Sequence, residues 1–238
     1  MVRAQAKKDR LNRSILDYMA QILFFGASGV YGVGGEAGGA PDLIKVELHK
    51  QAYAPSGPAE GVGHEVYNLG IPGATSAMLL KRAQNELSAR TKSGRKLIIL
   101  LSVGVNDSKN TDGQGSHLVD IATYKQNIEK ILVVFLEASA SVIAYGFTPV
   151  DETKTSPYTG SSVAPAVYLT NNRIKEFEKV FIGAAAQKGA QTLPLFEQAI
   201  QESWVRFFIC SNGLHPNSAG HAWLTEKIKP ILWKELQT

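Results

Sequence analysis

The sequence predicts a three-layer α/β/α sandwich with a central parallel sheet of about five strands, and three observations carry that prediction. Two segments, QILFF at Gln21–Phe25 and KLIILLSV at Lys96–Val103, are apolar without polar alternation, as strands buried on both faces of a parallel sheet must be. Strand-like and helix-like segments alternate along the chain, and right-handed crossovers place such helices on both sides of the sheet. The length of 238 residues fits one generous α/β domain better than two small ones.

Taken in order, Gln21–Phe25 is the first strand, and Gly26 breaks it. Pro41–Lys50, with Leu43, Ile44, Val46 and Leu48 as its apolar residues, predicts a helix with proline in its first turn. Residues from Gln51 to Gly63 are rich in Gly, Pro and Ala and predict a loop, leading into a second strand at Glu65–Leu69. Thr75 caps a helix to Ala89, on which Met78, Leu79, Ala83 and Leu87 recur at helical spacing. The third strand is Lys96–Val103, stopped by Gly104. After a loop at Asp107–Ser116, a helix runs over Val119–Ala138 through Tyr124, Ile128, Ile131, Leu132 and Phe135. Ser141–Phe147 is the fourth strand, and the Pro, Ser, Thr and Gly content of Thr148–Pro165 predicts a long mobile loop. Tyr168–Lys188 is helix, Gly189–Leu195 a short fifth strand, Phe196–Trp204 a helix and Ser218–Leu236 the last helix. Residues 1–20 read as an N-terminal helical extension and 21–238 as a single domain.

Composition narrows the function classes. Apolar residues make up 44% and charged residues 19% of the chain, with no 18-residue apolar run, so membrane insertion is not expected. The N-terminal segment has basic residues but lacks the apolar core of a signal peptide, and the single cysteine, Cys210, cannot form an internal disulfide. Both readings fit a cytoplasmic protein. The net charge of +4 is spread thinly, dense only at Lys7, Lys8, Arg10 and Arg13, which reads as a solvated helix face and not as a nucleic-acid surface. His49, His64, His117 and His221 lack paired ligand spacing, so neither a metal nor another cofactor is expected. Gly32–Ala37 matches a Gly-x-Gly-x-x-Ala pattern but begins too far beyond the strand to hold a dinucleotide pyrophosphate.

Ligands of such sheets gather at the carboxyl ends of the strands. Four positions from distant segments, Ser28, Gly73, Asn106 and His215, follow strand ends or apolar runs and converge on that edge. Ser28 stands between Gly26 and Gly29, where the backbone turns sharply and another molecule can approach its hydroxyl.

The stretches that hold these residues, FGASGVYGVGG, NLGIPGATS, VGVNDS and NGLHPNSAGH, together resemble the four signature blocks of the SGNH hydrolases, also called GDSL esterases and lipases. The resemblance covers most of the chain, with the blocks in the family's order. It implies the family's flavodoxin-like fold and a serine hydrolase acting on a small-molecule carboxylic ester. It also implies that Ser28 attacks the acyl carbonyl while His215 takes and returns the proton. The oxyanion hole it implies comprises the backbone N–H groups of Ser28 and Gly73 and the side-chain amide of Asn106. Thioesters, or acyl transfer to another alcohol, would use the same site. Acyl length and oligomeric state are not legible.

Two departures from the family pattern stand out. Gly-Asp-Ser is here Gly26-Ala27-Ser28, and the aspartate of Asp-x-x-His is Asn212. Three readings of Asn212 stay open: it accepts from His215 through Oδ1 in a weakened triad, a backbone carbonyl orients His215 in a Ser-His dyad, or the chain is a low-activity form. The last admits an SGNH scaffold that binds a ligand with negligible turnover. Asp107 is expected to anchor its loop, Cys210 to be a buried small hydrophobe, and Asp151 and Glu152 to be solvated.

Overall fold

The structure, a computed structural model, describes residues 19–53, 61–113, 115, 118–159 and 166–238. Most of the expected N-terminal extension, parts of three expected loops and His117 lie outside these residues.

Five strands, β1 (Ala20–Gly26), β2 (Glu65–Gly70), β3 (Lys96–Ser102), β4 (Ser141–Tyr145) and β5 (Gln191–Leu193), form one parallel sheet in the order β2-β1-β3-β4-β5. The chain moves outward from β1 to β2 and then crosses back to β3 on the other side of β1. The switch point of this order therefore lies between the carboxyl ends of β1 and β3, where open sheets leave a crevice for ligands.

Alternate residues of the unbroken apolar strands serve opposite layers. Leu23, Phe25, Ile99 and Leu101 pack under α3 (Ser76–Arg90), α4 (Ile121–Glu137) and α6 (Asn171–Gln187). Ile22, Phe24, Ile98 and Leu100 face α2 (Ala40–Ala52) and α9 (Ser218–Leu236). All eight residues are fully buried, and each contributes about 1.5–3 kcal/mol of hydrophobic stabilisation.

Where element ends differ from the sequence prediction, local hydrogen bonding accounts for it. The fourth helix begins two residues later than its apolar pattern because the Asp120 carboxylate accepts from Ala122 N–H and Thr123 N–H. Tyr168 is not helical: its backbone pairs with that of Asn110, and the helix starts after Thr170. The fifth strand shrinks to three residues, because Pro194 has no N–H and the Leu195 N–H turns to Glu178. The helix expected over Phe196–Trp204 is two short ones, α7 (Phe196–Gln201) and α8 (Trp204–Phe207), separated at Ser203, whose φ is 57°. The segment expected to be a loop from Thr148 contains a helical turn, α5 (Glu152–Thr155), capped by Asp151. Met78 is exposed, unlike Leu79, Ala83 and Leu87.

Candidate active site

Ser28 opens a single helical turn, α1 (Ser28–Tyr31), directly after β1. The turn is possible because Gly26 has no side chain: a Cβ there would lie 2.3 Å from Val30 Cγ2 and 2.4 Å from the Ser102 carbonyl. At the first helical position the Ser28 N–H has no intrahelical acceptor and stays available. Behind it, His221 is fully buried and donates from Nε2 to the Val33 carbonyl at 3.0 Å, fixing the glycine-rich return. The glycines there are packing positions, since a Cβ on Gly35 would meet the Gly38 carbonyl at 2.1 Å and His221 at 2.8 Å.

Asn106 lies past the end of β3 on a loop held from several sides. Tyr124 Oη donates to the Val103 carbonyl at 2.7 Å, and Ser108 Oγ to the Val105 carbonyl at 2.8 Å. The wholly buried Asp107 carboxylate accepts from Ser76 N–H at 3.0 Å and from Ser76 Oγ at 2.5 Å, which ties the loop to the start of α3. Burial raises the Asp107 carboxyl to about 6 despite those donors. Asn106 Nδ2 donates one hydrogen to the Ala74 carbonyl at 2.9 Å; an amide carries two, so the second is free for another acceptor. That bond also fastens the turn containing Gly73, whose φ of 78° suits glycine.

His215 follows a turn organised by Asn212, whose Oδ1 accepts from Leu214 N–H at 2.9 Å and from His215 N–H at 3.1 Å. Two backbone donors can face only the amide oxygen, so the amide NH2 is the group 2.8 Å from His215 Nδ1. Nδ1 must then accept, the ring proton resides on Nε2, and Nε2–H donates to Ser28 Oγ at 3.1 Å. Burial lowers the imidazole to about 4, with the Lys109 and His221 charges adding to the effect. Gly213 leaves room for the segment after β4, where Asp151 N–H donates to the Gly213 carbonyl at 2.8 Å.

Ser28, Asn106 and His215 border one cavity of about 90 Å³, with Leu214, Val105 and Phe147 in its wall. Gly73 lies outside that wall on an exposed turn, joined to it through Ala74 and Asn106. Of the three readings of Asn212, acceptance from His215 through Oδ1 does not occur in this arrangement, and no backbone carbonyl bonds Nδ1 among the described residues. Asp151 and Glu152 cap and tie helices: Glu152 Oε1 accepts from Asn171 N–H at 2.6 Å. Cys210 is half-buried beside the Pro216 carbonyl, and burial raises its thiol. Among the described residues no group of three or more His, Cys, Asp or Glu side chains could hold a metal, and no helix is long and apolar enough to cross a membrane. Sequence reasoning missed Lys109, which is half-buried in the Asn106 loop and close enough to His215 to bias its titration; its place three residues after Asn106 was the available signal.

The profile of the GDSL-like Lipase/Acylhydrolase family matches residues 24–223. The chain belongs to that family. It is therefore an esterase- or lipase-type hydrolase by class, and the five-stranded SGNH hydrolase fold is common to its structural neighbours. A lipase/acylhydrolase from Enterococcus faecalis superposes with a TM-score of 0.65 at 23% identity, covering 88% of this chain and 93% of that one. TesA superposes with a TM-score of 0.64 at 21% identity, over 92% and 99% of the two chains. The acetyl xylan esterase AlAXEase gives 0.65 at 15% identity, over 89% and 98%. At these identities the neighbours establish the fold alone. No curated protein matches the sequence.

Proposed function

We propose that the chain hydrolyses carboxylic esters of small molecules through an acyl-enzyme on Ser28, with His215 as general base and an oxyanion hole formed by Ser28 N–H, Gly73 N–H and Asn106 Nδ2. The observation that carries this reading is the 3.1 Å contact between His215 Nε2 and Ser28 Oγ at the switch-point edge of the sheet, beside an amide with a spare hydrogen. Ser28 Oγ bonds to the acyl carbon while its proton passes to His215 Nε2. The carbonyl oxygen takes up the electron pair and its negative charge falls to the three donors. Collapse of this intermediate expels the alcohol, which leaves with the proton from His215. Water repeats the sequence, freeing the carboxylic acid and restoring Ser28.

Asn212 makes the base weak. Proton uptake at Nε2 requires the proton of the neutral ring to be on Nδ1, where it would face the hydrogens of the Asn212 amide. Turning the amide over would cost the two backbone bonds on Oδ1. Turnover is therefore slow for this class of site, and the same observation favours a second reading in which the scaffold binds an ester or its product and scarcely turns over.

A fluorophosphonate probe separates the two. Covalent labelling of the folded protein that disappears in Ser28→Ala is the expected result. Folded protein that takes no label overturns the hydrolase reading and leaves the binding one.

A further inference from the structure

The cavity beneath Ser28 has a polar floor that the steps above do not use. Ser102 pairs with Gly26 across β1 and β3, and Leu101 pairs with Ala144 across β3 and β4. Carried one residue further, that register sets Ser102 beside Tyr145, and side chains in register on parallel strands share a face. Both residues line the cavity, together with Phe147, Val150, Leu214 and Leu224. Ser102 Oγ donates to the Gly146 carbonyl at 3.3 Å and keeps acceptor capacity.

Tyr145 is 4% exposed, and its hydroxyl bonds to no described residue. Among the described residues, the side-chain polar atoms that are both enclosed and unpaired are Arg82 Nε, Arg173 Nε, Trp204 Nε1 and His221 Nδ1. Tyr145 Oη has no partner among the described residues, and Tyr145 lines the cavity. Buried hydroxyls are nearly always hydrogen-bonded, and one left without a partner costs stability. A donor held that way in a mostly apolar pocket suits a ligand atom that accepts.

Resting on the esterase reading, we propose that the cavity is the acyl pocket and that Tyr145 selects short acyl groups carrying an oxygen acceptor, such as a hydroxyl or an ether oxygen, over plain alkyl chains of the same size. The pocket suits the acyl part because that part stays on Ser28, whereas the alcohol must leave and water must enter from solvent. At about 90 Å³ the cavity has room for a short acyl group.

The test uses two isosteric pairs, methoxyacetate with butanoate and 3-hydroxybutanoate with 3-methylbutanoate. Each is measured as the free carboxylate by NMR titration and as the 4-nitrophenyl ester by kcat/KM relative to alkaline hydrolysis. The wild type is expected to favour the oxygenated member of at least one pair by about five- to tenfold, the worth of one neutral hydrogen bond. Tyr145→Phe should erase that preference by weakening the oxygenated member relative to the alkyl one, and hold or raise Tm, because no bond within the protein is lost. Equal binding of both members by the wild type, a preference that survives in Tyr145→Phe, or a marked fall in its Tm would each overturn the assignment. The titration needs no turnover. A Tyr145-dependent preference in binding without Ser28-dependent hydrolysis would sink the esterase reading and leave the pocket assignment standing.

Discussion

Asn106 and Asn212 are the same residue type, one in the cavity wall and the other against His215, and they offer different chemistry. Asn106 spends one amide hydrogen on the Ala74 carbonyl and keeps the other, which on the proposed mechanism is a donor for the negative charge on the substrate. Asn212 spends its oxygen on two backbone N–H groups and turns its hydrogens toward His215 Nδ1, so it presents a donor where positive charge would develop on the ring. The comparison teaches that an amide suits the oxyanion side and opposes the base side. What decides between them is the backbone each side chain has to satisfy.

The same substitution should therefore have opposite signs at the two positions. On the proposed mechanism Asn106→Asp places a carboxylate beside the oxyanion and is expected to lower kcat by about 10³ or more, beyond the 10²–10³ typical of losing one donor; steady-state rates on a 4-nitrophenyl ester measure it. Asn212→Asp lets one oxygen keep the backbone pair while the other accepts from Nδ1–H, and kcat should rise by on the order of 10², within the 10⁴ that the reverse change costs a serine protease. No change, or a fall, would mean that something other than residue 212 orients His215.

The pH profile sharpens the comparison next. With His215 near 4, the acidic limb of kcat/KM should lie well below pH 6, and in Asn212→Asp the added carboxylate should move it upward. A wild-type limb at the ordinary histidine value would contradict the burial argument. In stability the signs divide. His215 and His221 are depressed on folding, so their contribution is present above about 6.5 and lost as pH falls through the folded values. Asp107 is raised to about 6, so its contribution is full below about 3.9 and lost as pH rises through 6.

The smallest effect belongs to the support of Asn106. Asp107→Asn keeps the shape but sets an amide against the Ser76 donors, and should cost about 2 kcal/mol in urea unfolding, with kcat falling about tenfold as the loop loosens. Unfolding unchanged from wild type would remove the buried carboxylate from the account of how Asn106 is held.

Much of this was legible in the sequence because burial on two faces leaves a plain signature. β1 and β3 stand where their unbroken apolar runs stand, and α9 matches its predicted ends. Ser28, Asn106 and His215 come together as the strand ends suggested. What could not be read depends on which partner a polar group finds across the fold. The orientation of Asn212 follows from two backbone donors, the break at Ser203 interrupts a segment that patterns as one helix, and Tyr145 reads as a core aromatic until the cavity beside it is known.

The segment after β4 is anchored at both of its described shoulders. Asp151 bonds to Gly213 on the histidine turn, where a Cβ would meet Lys154 Cβ at 2.8 Å, and further on Tyr158 and Val167 pair backbone to backbone. The first anchor couples the segment to the turn that holds His215, and the second pairs its two described arms. For engineering, the Asp151–Gly213 bond marks the part of this connection through which a change would reach the histidine turn.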